Sequence, residues 1–430
     1  NMLYNEAVKY LNNDESSADN KTIDYSSYET ENKLRYEEVL RQNGYKFTYG
    51  AGVEYAKYQN TTFQKVFIPA GEDTVTQINY SSNLDFFKWS LFGQVSKSYL
   101  DDKLTLSLGL RSDANSYSSQ MSNLLKQISP RFSASYSLTT KLAVNFNTGR
   151  YYQLPAYTTM GYRLPDSELL NKTLGLRYIQ ADHIVAGFDY RRNDKSKLTL
   201  EGFYKFYNYY PFSLRDSVSL ASKGADFGVA GDEGVTPTSK GKAWGAELYY
   251  RDKLSKMFDV TLSYTWVRSS FEDKKSDFIP SAWDNRHILN VTALATLKRN
   301  WDIGIIWRFV GGAPFTPYDE NKSSLIEAWD AKGQGYLDYN LYNTNRLGNF
   351  QQLDLRVDKE YYFKKWSLNV YLDIQNLYNF KAEQPSELVQ QKDASGNPLI
   401  DPQDPKRYVL KYLPSESGTV LPTLGIIVEI

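Results

Sequence analysis

Two histidines and no cysteine narrow the chemistry open to this 430-residue chain. Thiolate nucleophiles, disulfides and thiolate metal sites are excluded outright. Both histidines follow an acid closely, in Asp182-His183 and in Asp284-Asn285-Arg286-His287. A carboxylate that orients an imidazole is part of a hydrolytic constellation, which also needs a nucleophile within hydrogen-bond reach of the base. No spacing supplies that nucleophile, so both histidines are expected to be structural and the chain is expected not to be an enzyme. The acidic pairs Asp232-Glu233 and Asp319-Glu320 could hold a hard cation weakly. No transition-metal set is present, and neither a metal nor a cofactor is expected.

The residues left for recognition are aromatic. Tyr is unusually frequent, with 36 copies beside 21 Phe and 8 Trp. One group is Tyr151, Tyr152, Tyr157 and Tyr162; a second is Tyr209, Tyr210 and Phe212; a third is Phe315, Tyr318, Trp329, Tyr336, Tyr339 and Tyr342. Such rings give a ligand a large contact area at low entropy cost. The same residue types anchor a protein at a membrane–water boundary. The candidate ligand-binding set is Tyr157, Tyr162, Phe212, Phe315, Tyr318, Trp329, Tyr336 and Tyr339. A second set is charged: Arg131, Glu247, Arg251, Asp354, Arg356, Asp358 and Asp373 alternate with apolar neighbours and are expected to share a polar face. With 50 basic and 50 acidic residues the net charge is zero, which leaves no electrostatic footprint for nucleic acid.

The elements that must position these residues are strands. From Trp366 to Gln375, Trp366, Leu368, Val370, Leu372 and Ile374 take one face while Ser367, Asn369, Asp373 and Gln375 take the other. The period recurs at Leu104/Leu106/Leu108/Leu110, Val260/Leu262/Tyr264/Trp266, Leu289/Val291/Ala293/Ala295/Leu297, Trp301/Ile303/Ile305/Trp307/Phe309 and Leu353/Leu355/Val357. No segment keeps a helical period over three turns. Short polar turns near 41–44, 99–102, 138–140, 192–196, 253–256, 298–300 and 363–365 alternate with long connections at 60–83, 117–128, 153–178, 212–239, 271–282, 312–349 and 381–418. Long loops at one end and short turns at the other are the pattern of an outer-membrane barrel. The mean hydropathy of −0.55 fits, because lipid-facing and lumen-facing residues average out. The fold expected is an all-β, antiparallel, up-and-down transmembrane barrel wall of about sixteen strands. The first two of these strands are placed near 1–10 and 32–40. If the last strand runs inward, every long loop is extracellular. The first residues carry no leader features, so the leader is expected to have been removed or the chain to begin inside a longer protein.

Several segments resemble TonB-dependent outer-membrane receptors, in a style closest to those of Bacteroidota. The segment Phe350-Gln351-Gln352-Leu353-Asp354-Leu355-Arg356-Val357-Asp358-Lys359, followed by Trp366 to Asn379, resembles their penultimate hairpin. Gly311-Gly312-Ala313-Pro314-Phe315-Thr316-Pro317-Tyr318 resembles the start of a late extracellular loop, and Trp283-Asp284-Asn285-Arg286-His287 the head of the preceding strand. Gly149 to Pro155 resembles a mid-barrel rim segment. The resemblance implies that residues 1–430 are the C-terminal part of a barrel of about twenty-two strands, without the family's plug domain. It further implies energised import of a ligand bound at the outer loops, with the TonB complex acting through the absent plug. Outer-membrane lipid and lipopolysaccharide are implied neighbours, and a surface lipoprotein is compatible with it. A passive porin of similar strand number is the alternative.

Overall fold

The computed structural model describes residues 2–68, 74–164, 168–223 and 231–430. Strict alternation produces one antiparallel sheet of seventeen strands, sixteen of them nine residues or longer. In chain order these are β1 Met2–Tyr10, β2 Lys21–Gln42, β3 Tyr45–Ile68, β4 Thr74–Tyr99, β5 Leu104–Asn115, β6 Ile128–Ser137, β7 Leu142–Gln153 and β8 Ile179–Asn193. They continue as β9 Ser196–Ser213, β10 Val235–Asp252, β11 Phe258–Glu272, β12 Arg286–Leu297, β13 Trp301–Val310, β14 Phe350–Tyr362, β15 Ser367–Gln375 and β16 Leu421–Glu429. The seventeenth is the three-residue strand Phe278–Pro280, laid against the end of β11. Each long strand pairs with its neighbours in sequence, so the sheet is a simple meander. Among the described residues β1 pairs only with β2, and β16 only with β15.

Alternation also decides which face is which. Leu34, Val53, Leu91, Leu108, Ile184 and Leu424 are each more than half exposed to the surroundings, a costly display in water and a favourable one against lipid. The opposite face carries the charges, and the long connections fold against it. At the other end, tight turns require left-handed backbone. Asn43-Gly44 has φ of 50° and 78°, and Arg299-Asn300 has 64° and 57°. Positive φ at both centres matches the right-handed twist of a hairpin, which is why Asn and Gly fall there.

From β4 to β16 short turns and long connections alternate, as the sequence predicts. Two expectations need correction. The stretch 60–83 is not chiefly a loop, since β3 continues to Ile68 and β4 begins at Thr74, in unbroken register from Ile68↔Thr74 to Tyr45↔Lys97. The second strand is 22 residues long rather than the short segment near 32–40. Both extensions are rich in Ser, Thr, Asn and Gln, so they carry no apolar alternation. Strands that rise beyond the membrane have water on the outer side and do not need one.

At the long-loop end the connections build a core of their own. Ala56, Tyr58, Leu84 and Phe86 on the inner face of β3 and β4 pack with Tyr117, Met121, Met160, Leu176, Tyr178, Leu220 and Val235. Short helices stiffen two of these loops: α1 Tyr157–Met160 and α2 Leu170–Thr173 in one, α3 Glu320–Ser324 and α4 Ile326–Lys332 in the other. α4 sets Ala328 and Ala331 against Phe67 of β3, so the loop that follows β13 meets the far side of the chain's own sheet.

Candidate functional site

Tracing the ladders from β6 to β15 puts Arg131, Glu247, Arg251, Asp354, Arg356 and Asp373 on one face, the face that carries the loops. Arg131 stands between Gly109 and Gly149 in register, and its guanidinium lies 4.5 Å from the Tyr151 ring. The two glycines leave room for that large side chain. Arg251 pairs with Asp259 at 3.3 Å and Arg356 with Asp358 at 2.8 Å, while Asp373 faces Arg356 across the ladder. Glu247 directly faces Glu201, a like-charge pair that costs stability. Higher on this face, Lys88 pairs with Glu31 at 3.0 Å and with Glu54.

That cluster reaches into the loops. Lys88 donates to the Tyr157 hydroxyl at 2.7 Å, and the hydroxyl donates to Glu31. Tyr157, expected at an outer binding rim, thus points inward and ties α1 to the wall. Tyr162 packs edge-on against Tyr80 at 5.5 Å. Phe212 is not in a loop, being part of β9 opposite Thr236. Trp329 is 4% exposed, buried within its own loop. Phe315 sits in a two-residue ladder with Asn345. Three further half-buried rings of the loop after β13 are Tyr318, which packs on Tyr412 at 6.2 Å, Tyr336, and Tyr339, stacked on Tyr342 at 5.7 Å.

The loops hold one another. Tyr412 donates to Glu320 at 2.9 Å, Arg407 donates to the Asn321 carbonyl at 2.7 Å and the Ser324 hydroxyl at 2.6 Å, and Tyr408 donates to Asp330 at 3.1 Å. Lys274 donates to Asn340 at 2.6 Å, and Asn343 donates to the Pro280 carbonyl at 2.8 Å. In the loop after β9, Arg215 pairs with Asp232 at 2.9 Å and Lys223 with Glu233 at 2.6 Å and with Asp216. Asp232 and Glu233 are therefore already neutralised by cations of their own loop. Asp319 caps α3 by accepting from the Lys322 amide at 2.9 Å. Glu320 accepts from Tyr412, so both acidic pairs take part in holding the loops.

The late segments with residue-level resemblance, those from Trp283 onward, build the bases of the last two loops. Asp284, fully buried, accepts from Arg268 at 3.0 Å, from the Ser269 amide at 2.8 Å and from Arg346. Arg346 also donates to the Asp284 carbonyl at 2.6 Å and the Gly312 carbonyl at 3.0 Å. A Cβ on Gly312 would lie 1.8 Å from the Leu347 carbonyl oxygen, so only glycine fits the close approach. One loop later, Asp354 accepts from the Asn376 amide at 2.9 Å, Asn376 has φ of 52°, and its side chain donates to the Phe380 carbonyl at 2.9 Å. Asp354 is thus a loop anchor as much as a wall charge. Reading the sequence alone missed Asp284 as an anchor, because its partner Arg346 is 62 positions away.

The acid–histidine neighbours come apart for the same geometric reason that makes the sheet. Asp182 and His183 are adjacent, so they point to opposite faces. Asp182 pairs with Arg150 at 2.7 Å, while the His183 ring lies 4.6 Å from Tyr151. His287 shares a hydrogen bond of 2.8 Å with Tyr264, and Asp284 is committed to its two arginines.

A family model described as TonB dependent receptor-like, beta-barrel matches residues 3–377. No curated protein matches the sequence. Among solved structures, the ferripyoverdine receptor of the outer membrane of Pseudomonas aeruginosa aligns with a TM-score of 0.59 and 13% identity, over 89% of this chain and 50% of that one. A copper transporter, OprC, aligns at 0.57 and 14% identity, over 84% and 52%. The ferric citrate transporter FecA in its unliganded form aligns at 0.56 and 13% identity, over 94% and 55%. The chain spans about half the length of these proteins, and at such identities the likeness is one of fold. With the meander, the one-sided long loops and a family match over most of its length, the chain belongs to the TonB-dependent receptor β-barrel family of the bacterial outer membrane.

Proposed function

We propose that this chain supplies the wall and outer rim of an energised importer, binding its ligand at the long loops for passage to the periplasm. The observation that carries this is the interlocked mouth, in which loops from both halves of the sheet fold over the inner face and present Tyr318, Tyr336 and Tyr339. On this reading the long loops are extracellular, and the lipid-facing surface meets outer-membrane lipid and lipopolysaccharide. The plug domain that engages the TonB complex is supplied by sequence outside these residues. Strands β1 and β16, each with one ladder partner among the described residues, support a ring completed by further strands. The aligned structures include proteins named for ferripyoverdine, ferric citrate and copper, so a metal ion or metal chelate is the first ligand to try.

The test is uptake of radiolabelled ferric citrate, ferripyoverdine and copper by cells carrying the full-length receptor, with and without a functional TonB. Uptake of one of them that needs TonB, and that falls when Tyr318 and Tyr339 become Ala, is expected. A stable open conductance of the purified receptor in a planar bilayer, with uptake indifferent to TonB, overturns the reading in favour of a passive channel.

A further inference from the structure

The mouth contains two ammonium groups that have no ion-pair partner among the described residues. Lys322 on α3 and Lys332 at the end of α4 set their Nζ atoms 4.4 Å and 4.6 Å from the centre of the same ring, that of Tyr336. Lys322 also lies 5.8 Å from the Phe67 ring, and Lys332 donates to the Gly335 carbonyl at 3.2 Å. Among the described residues no carboxylate lies within ion-pair distance of either. Asp319 acts on Lys322 but spends one oxygen capping α3, and the acid that acts on both, Asp216, is held by Lys223 and, at 3.6 Å, by Arg215. Lys9 and Arg215 add further positive potential at Lys332.

One cation over a ring is an ordinary stabilising contact. Two on one ring share the same electron density and repel each other across a partly desolvated space. Burial, followed by the charge of Lys322, pulls the Lys332 ammonium down to about 8, and burial lowers Lys322 as well. Such an arrangement is unfavourable alone and becomes favourable when an anion enters between the charges. The cations converge from three parts of the chain: β1, the loop after β9, and the loop after β13. A site assembled that way is set by tertiary structure, not by local helix packing.

We propose that Lys322, Lys332 and the ring of Tyr336 form an anion-binding site for a ligand that presents carboxylate or phosphate oxygens. This inference rests on the mouth being the ligand site, and it narrows the ligand to an anionic class. The two ammonium groups take the anionic oxygens, and Tyr336 offers a flat apolar surface beside them.

The experiment is calorimetric titration of the purified full-length receptor in detergent at pH 7 with pyrophosphate, and separately with citrate. Saturable binding of one probe is expected. The double variant Lys322→Gln/Lys332→Gln is expected to weaken it at least tenfold, whereas Lys322→Arg/Lys332→Arg retains it and so shows that the fold tolerates change here. Lys406→Gln, in another loop, is expected to have no effect. Absence of binding to the wild type, or equal binding by the double Gln variant, overturns the proposal. If TonB-dependent uptake persists while no anion binds, this inference fails alone. If anions bind and no uptake depends on TonB, the importer reading fails and the site stands.

Discussion

Replacing Asp284 by asparagine removes one charge from the base of the loop after β13 while keeping the shape of the side chain. Asp284 is fully buried and faces two guanidinium groups, those of Arg268 and Arg346, whose side chains are 40% and 21% exposed. Breaking a fully buried pair costs about 3–5 kcal/mol, because the partner charge is left uncompensated. The arginines are part-solvated and recover some of that from water, which brings the expected cost to roughly 2 kcal/mol. The loss falls on the loop rather than on the ladders, since Arg346 is the loop's own residue and donates to both the Asp284 and Gly312 carbonyls. About 2 kcal/mol corresponds to roughly a thirty-fold rise in the open population. Hydrogen–deuterium exchange of the purified receptor reads this directly: amides of 311–349 should exchange roughly thirty-fold faster, with β12 and β13 unchanged. If Asp284→Asn leaves protection of that loop at the wild-type level, the clamp does not hold the loop and the reasoning fails.

Tyr157→Phe removes the hydroxyl between Lys88 and Glu31 and should loosen the loop containing α1 by about 1–2 kcal/mol, seen as faster proteolysis within 154–178. Gly312→Ala should lower thermal stability by about 1–3 kcal/mol, because its Cβ meets a backbone oxygen, while Gly93→Ala, with nothing within 4 Å, should be tolerated. Leu108→Arg, on the outward face of β5, should impair refolding into lipid vesicles by about 2–4 kcal/mol if that face meets acyl chains. Lys332 gives a pH test with a definite sign. Its folded value, near 8, lies below its ordinary 10.5, so the unfolded loop binds more protons between the two values and loop stability rises as pH goes from 7 to 10. Asp216, Arg215, Lys322 and Lys9 are the charges that face it, and added pyrophosphate should reverse the trend. Exchange rates of 320–336 at pH 7 and pH 9.5, with and without pyrophosphate, check both halves.

The wall was legible because alternation is a local property. Leu368, Val370, Leu372 and Ile374 declare their shared face within nine residues, and the lipid enforces that pattern strand after strand. The tall parts of β2, β3 and β4 were not legible. Rows such as Ser27, Asn60 and Ser82 have a loop-like composition, and their pairing is set by register inherited from below. For the mouth, residue type was visible and direction was not. Trp329 and Tyr336 look alike as candidates, yet one is buried by its helix and the other meets two lysines. The anchors were visible only as patterns. In Gly311-Gly312 and Asn376 the backbone requirement is local, but the Asp284–Arg346 contact joins residues that nothing in their spacing connects.

The strand lengths have a topographic consequence. β2, β3 and β4 run 22, 24 and 26 residues, whereas β5, β6 and β7 run 12, 10 and 12. A bilayer crossing takes about 9–11 residues, so more than half of β4 stands clear of the membrane on one flank. At roughly 3.4 Å per residue that is a parapet several nanometres high. Anything that approaches the long-loop end from that flank meets the parapet first, whereas β5 to β7 leave a low sill beside it. Within this chain, the wall is tall on one flank and low on the next.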